Sequence, residues 1–210
     1  MAKTKPLRLL VFDDTCRRDW VVAGLTHSWI AGWYFYRGLG RLDYARGVRS
    51  WGEALLWLAT VERERPIGEI QFWGHGKWGQ ARVDGEVLDL SVLDAGHRYR
   101  NLLDDIQRRL VGPQALWWFR TCETFGARSG HQFAREWTSF FNCRAASHTY
   151  IIGPWQSGLH CLEPGEVPNW SLEEGLEEGT AERPEKALWS RPGEPNTITC
   201  LHNRHRELRK

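Results

Sequence analysis

The sequence predicts an α/β fold in which a mostly parallel central sheet is flanked by helices. Three observations lead there. Short apolar, β-prone runs alternate with longer segments carrying apolar residues at helical spacing, the alternation that βαβ units produce. Glycine and proline punctuate the joins between them. The predicted strands stop on reactive side chains, namely Asp13-Asp14, His75, Cys122 and Ser147-His148. In a parallel sheet those ends share one rim, where sites of open α/β sheets collect.

In chain order, residues 7–12 form an apolar run broken only by Arg8 and read as a mostly buried first strand. Residues 16–26 are mixed and read as a connection. Over 27–37, Trp29, Ile30, Trp33, Tyr34 and Tyr36 recur at near-helical spacing until Gly38 and Gly40 break the run. Residues 43–61 read as a second helical segment. Ser50 and Glu53 there form a capping box, and Leu55, Leu56, Leu58 and Ala59 supply an apolar face. After Pro66-Ile67-Gly68, residues 69–73 are the second strand, followed by a glycine-rich loop through Gly79. Asp84-Gly85 between 80–83 and 86–90 signals a hairpin. Residues 91–94 read as a short helical turn. Residues 97–110 read as a helix with Leu102, Leu103, Ile106 and Leu110 on one face, ended by Gly112-Pro113. Residues 114–120 are the third strand and 130–141 a helix with Phe133, Trp137, Phe140 and Phe141 inward. Residues 144–147 are a fourth strand, extendable to 152. Beyond Gly153-Pro154 regularity fades into an irregular flank with one short helix at 172–176 and a late strand at 196–201.

A length of 210 residues suits one compact domain over 1–210, with its core at about 7–152 and the flank 153–210 packed on it. Charged residues are 26% and the net charge is +2, with both signs interspersed, so no basic stripe argues for nucleic acid. No apolar run reaches the ~18 residues of a membrane span, and the basic start runs into Asp13-Asp14 without a cleavage site. The expectation is a cytoplasmic chain. Its five cysteines are widely spaced and contain no C-x-x-C pair, which fits neither a disulfide framework nor a zinc ribbon. No cofactor and no metal are expected. A metal site joining His160-Cys161 to His75 and Cys122 lacks a close-spaced ligand pair.

The chemistry sits on the strand ends. Cys122 precedes a turn into a helix and lies two residues from Arg120, which shares its face while strand geometry lasts. His75 suits a general base towards that thiol and an acid towards the leaving group. Gly74 and Gly76 let backbone approach a substrate, and the Gly76 N–H suits an oxyanion. Asp13, Asp14 and Glu123 are candidates to orient the imidazole, and spacing does not choose among them. Glu123 beside Cys122 disfavours the thiolate unless Arg120 or His75 offsets it. His148 reads first as a hydrogen-bonded structural histidine and secondarily as a supporting group; His131 reads as a surface residue.

Two marks, Phe72-Trp73-Gly74-His75-Gly76 and Trp118-Phe119-Arg120-Thr121-Cys122, lie forty-seven residues apart, which leaves room for one hairpin and one helix. Together they resemble the caspase-like cysteine peptidases, the superfamily that includes caspases, metacaspases, gingipains, legumains, separases and bacterial CHAT domains. The Gly126 turn, the helix from Gly130 and the strand ending at His148 are similar to bacterial caspase-like domains. The resemblance covers about 7–152. It implies a three-layer caspase-like fold and a cysteine hydrolase, foremost a peptidase acting on a peptide or protein. It also implies His75 as base, Cys122 as nucleophile, and the backbone amides of Gly76 and Cys122 as oxyanion donors. The alternatives are a non-catalytic caspase-like binding module of a bacterial defence or signalling system, and a metal-dependent hydrolase using His75, Cys122 and a further His or Asp.

Overall fold

A computed structural model of the protein describes residues 5–17 and 24–194. The chain runs β1 (Leu7–Asp13), α1 (Leu25–Gly38), β2 (Tyr44–Val48), α2 (Trp51–Thr60) and β3 (Ile67–Trp73). A small antiparallel sheet follows, made of β4 (His75–Lys77), β5 (Gln80–Val83) and β6 (Glu86–Leu88). Then come α3 (Arg100–Arg109), β7 (Leu116–Arg120), α4 (Ala127–Phe141), β8 (Arg144–His148) and β9 (Leu159–Leu162). A β10 (Leu176–Gly179) and β11 (Pro184–Ala187) ribbon ends the described part.

The central sheet has six strands in the order β2-β1-β3-β7-β8-β9, parallel except for β9. Its strands form where the side chains suit burial on both sides: β3 is buried along its whole length. Even its polar residues are accommodated, because Gln71 Nε2 donates to Glu69 Oε1 (2.6 Å) and Trp73 Nε1 donates to Gln71 Oε1 (2.8 Å). Leu10, Phe12 and Trp73 pack under α1, through Trp29, Ile30, Trp33 and Tyr36. Leu9, Val11, Ile70, Phe72, Trp117 and Phe119 face the opposite way, into a core closed by α2, α3 and α4. Helices therefore cover both faces. α1 links β1 to β2 on one side, and the later helices lie on the other. The winding thus reverses between β1 and β3, the topological switch point of the sheet.

Local signals explain most boundaries. Ser50 caps α2, its Oγ accepting from the Glu53 N–H at 3.1 Å, while the Glu53 carboxylate takes the Arg49 N–H (3.1 Å) rather than the Ser50 N–H of a full box. Behind the cap, Trp51, Ala54, Leu55, Leu58 and Ala59 form the buried stripe, worth about 1.5–3 kcal/mol for each large apolar side chain fully buried. α4 begins three residues earlier than the sequence pattern suggests and ends on Asn142 in the left-handed conformation. Gly130 lies inside it for a steric reason: a Cβ there would sit 2.4 Å from the Phe125 carbonyl carbon.

Four expectations are corrected. Residues 44–48 are not part of a helix but the edge strand β2, paired in register with β1. Residues 75–77 are not loop but strand β4, because β5 offers a free edge to pair with. Residues 159–162 are not irregular: β9 adds to β8 antiparallel and carries the central sheet past residue 152. Residues 172–176 form turns leading into β10 rather than a helix. The late strand expected at 196–201 lies outside the described residues.

Candidate functional site

The carboxyl ends of β1, β3, β7 and β8 do share one rim. Trp73 pairs with Arg120 across β3 and β7, so Gly74-His75-Gly76 and Thr121-Cys122 leave adjacent parallel strands together. Gly76 packs directly on the second of these segments. A Cβ at position 76 would lie 2.3 Å from Thr124 Oγ1, 2.6 Å from the Cys122 carbonyl oxygen and 2.7 Å from Thr121 Cβ. Only glycine fits that approach.

The turn carrying Cys122 is firmly held. The Glu123 N–H donates to the Tyr150 carbonyl (3.1 Å) and the Phe125 N–H to the His148 carbonyl (3.0 Å). Thr124 Oγ1 donates to the Gln80 carbonyl at 2.9 Å and lies 2.7 Å from Thr121 Oγ1. These contacts keep Glu123 at φ +59°, a left-handed conformation that costs a non-glycine residue about 1 kcal/mol or more. The Cys122 thiol itself lies against residue 152: the Ile152 N–H points at Sγ from 3.4 Å, and Sγ is 3.8 Å from the Ile152 carbonyl oxygen. Burial pushes this thiol above its ordinary acidity range, and the Glu123 charge pushes the same way. The opposing pull is the Ile152 N–H, not the Arg120 or His75 charge that the sequence suggests. Glu123 is itself raised by burial, against the pull of Lys77 and Arg82, and its Oε2 is buried without a hydrogen-bond partner among the described residues.

Arg120 serves a different neighbourhood. Its guanidinium carbon lies 5.0 Å from the Trp73 ring centroid, 5.7 Å from Trp118 and 5.9 Å from Tyr36, and its Nε donates to Gln156 Oε1 at 3.3 Å. β7 ends at Arg120, so the shared face expected with Cys122 has no strand to enforce it. Asp14 is taken by Arg17, at 2.7 Å.

His148 is fully buried, with Nδ1 donating to the Ser157 carbonyl at 3.0 Å, as a structural histidine would. Burial drives its pKa down to about 4, so it is neutral at ordinary pH. His131 is not a surface residue as expected. It is half-buried, edge-to-face with Trp170 at 4.9 Å between ring centroids, and burial lowers its pKa. His160 stacks on the same Trp170 and binds Glu174 Oε2 at 2.7 Å.

Among the described residues, the side chain that meets His75 at hydrogen-bond range is Cys16, in the stretch 16–26 expected to be a connection. His75 Nε2 lies 3.2 Å from Cys16 Sγ, and Cys16 Sγ lies 3.7 Å from Asp13 Oδ2. One ligand-type atom from each of Asp13, Cys16 and His75 falls within 4.8 Å of the others. Asp13 is fully buried, whereas His75 is exposed with Trp29 edge-on at 6.1 Å. Of the three carboxylates proposed for His75, the structure brings Asp13 to it and engages Asp14 elsewhere. Cys16 was discoverable in principle, since it follows the end of β1 by three residues on the rim already identified. The Ile152 amide had no signal in the sequence at all.

No described helix is long and apolar enough to cross a membrane. Comparison of the chain with family models, curated proteins and solved structures finds no match.

Proposed function

We propose that the protein is a caspase-like cysteine hydrolase, a peptidase, with His75 as general base and Cys122 as nucleophile. The observation that carries this reading is the packing of Gly76 on the Cys122 carbonyl, which seats the residue after His75 against the residue that bears the thiol. In the proposed cycle, His75 turns from Cys16 towards Cys122, and Cys122 Sγ leaves the Ile152 amide to attack the carbonyl carbon of a peptide bond while its proton passes to the imidazole. The carbonyl oxygen becomes an oxyanion facing the N–H groups of Gly76 and Cys122. The tetrahedral adduct collapses, His75 returns the proton to the departing amine, and water hydrolyses the thioester. Asp13, within 4.8 Å of the imidazole and joined to it through Cys16, is a positioning residue in this scheme. The burial-raised pKa of Cys122 means that few thiolates stand ready, so base assistance during attack is essential.

Iodoacetamide labelling of the intact protein near neutral pH, read by mass spectrometry, tests the proposal together with hydrolysis of a mixed peptide library. Cys122 is expected to react faster than Cys16 and Cys143, and Cys122→Ala to abolish hydrolysis. A Cys122 no more reactive than the other two would sink it.

The burial of the thiol and the nearby Glu123 favour a second reading, a non-catalytic module of the same fold. In that case the peptide library is bound but not cleaved.

A further inference from the structure

We propose that Asp13, Cys16 and His75 form a binding site for a divalent transition metal of the zinc class. The site lies where the ends of β1 and β3 meet, which is also where the winding of the sheet reverses, the place where open α/β sheets bind their ligands. Its donors are a carboxylate oxygen, a thiolate sulfur and an imidazole nitrogen. That set suits zinc or cobalt and not magnesium or calcium, which prefer all-oxygen shells. Zinc bonds of about 2.0–2.3 Å in a tetrahedral site place neighbouring ligand atoms roughly 3.5 Å apart. The Nε2–Sγ distance of 3.2 Å and the Sγ–Oδ2 distance of 3.7 Å bracket that value. His75, the exposed member, closes the remaining separation by rotating.

The carboxylate is prepared for the role. Thr15 donates to Asp13 Oδ1 twice, from its N–H (2.8 Å) and its hydroxyl (2.6 Å). Oδ1 is thereby occupied; Oδ2 accepts only a long bond from the Asp84 N–H (3.4 Å) and is the oxygen that faces the thiol, as outer-shell partners orient metal ligands elsewhere. Binding breaks the S–H bond of Cys16 and releases its proton to solvent, so affinity rises with pH. Three protein ligands leave a fourth position for water or an added ligand. If the hydrolase reading holds, a metal on Nε2 withdraws the general base and switches hydrolysis off; the site itself does not depend on that reading.

Cobalt(II) titration of the intact, metal-free protein under reducing conditions tests it. One cobalt per chain is expected, with a near-ultraviolet thiolate-to-cobalt charge-transfer band that zinc abolishes by competition. Cys16→Ser, at a half-buried position where the change is nearly isosteric, should remove the band and weaken binding by at least the ~10–100-fold that loss of an outer-shell partner costs. His75→Ala should weaken binding similarly, and Cys122→Ser should leave both band and affinity in place. Far-ultraviolet circular dichroism checks that each variant is folded. Absence of the band in the parent protein overturns the site, as does a band that survives Cys16→Ser and vanishes in Cys122→Ser. The hydrolase reading fails separately, on labelling of Cys122 in metal-free protein.

Discussion

At the scale of single residues, burial sets the chemistry of the rim more than charge does. Cys122 illustrates it: its thiol is raised by burial first and by Glu123 second. Replacing Glu123 with Gln removes the second cause and leaves the first. Cys122 in Glu123→Gln should therefore alkylate severalfold faster at neutral pH, with the pH–rate curve displaced towards acid. An unchanged curve would mean that the Glu123 charge does not act on the thiol. His148 makes the corresponding case for stability. Its folded pKa of about 4 lies below the ordinary 6.5 because burial penalises the charged ring. Between those values the unfolded chain binds a proton that the folded chain does not. Its contribution is complete above pH 6.5 and is lost as pH falls towards 4, by about 3 kcal/mol. His148→Asn can still donate to Ser157 but does not titrate. Urea unfolding of this variant should show lower stability at pH 7, by about 1–3 kcal/mol for the lost volume, and a shallower decline from pH 7 to 4. An equally steep decline would assign the acid sensitivity to the carboxylates.

At the scale of elements, the decisive contact is between β4 and the turn after β7. Gly76→Ala puts a methyl group into Thr124 Oγ1, the Cys122 carbonyl and Thr121, two of them backbone or branched atoms that cannot swing aside. The variant should lose about 1–3 kcal/mol, as overpacking does, and Cys122 labelling should change with it, because the strain falls on the turn that holds the thiol. Stability and labelling both unchanged would show that β4 simply lifts away. The same elements show what was legible in the sequence and what was not. β1, β3 and β7 are short, mainly apolar runs that hydrophobicity announces, whereas β8, Arg-Ala-Ala-Ser-His, is fully buried but read as a strand mainly from its place after the preceding helix. β2 is an edge strand, Tyr-Ala-Arg-Gly-Val, whose exposed and half-buried positions give no apolar alternation; only pairing with β1 makes it a strand. β4 and β9 are three and four residues long and exist because β5 and β8 offer edges. His75 and Cys122 could be marked because each follows directly from an apolar strand. Cys16 lies three residues past the end of β1 on the same rim, but no apolar strand runs directly into it, so the pattern marks its neighbourhood and not the residue.

At the scale of the whole molecule, stability and site geometry meet in the aromatic cluster between α4 and β7. Trp137 is fully buried there, with ring centroids of Trp117, Phe119, Phe133 and Phe141 between 4.8 and 5.2 Å away. It ties the helix that follows Cys122 to the strand that precedes it, so the turn bearing the thiol is anchored at both ends by one cluster. Trp137→Ala should cost about 3–5 kcal/mol, roughly a fifth or more of the ~5–15 kcal/mol that holds a typical domain together. Trp137→Phe is the more informative change. The indole Nε1 is buried without a hydrogen-bond partner among the described residues, so phenylalanine loses volume but also removes an unsatisfied donor, a penalty of about 1–3 kcal/mol. The two effects oppose each other, and the net cost should stay below about 2 kcal/mol in urea unfolding followed by circular dichroism. A Phe variant as unstable as the Ala variant would show that the indole ring is held by more than packing. A Phe variant of near-parental stability, with Cys122 labelling intact, would show that the cluster fixes the site through ring volume alone.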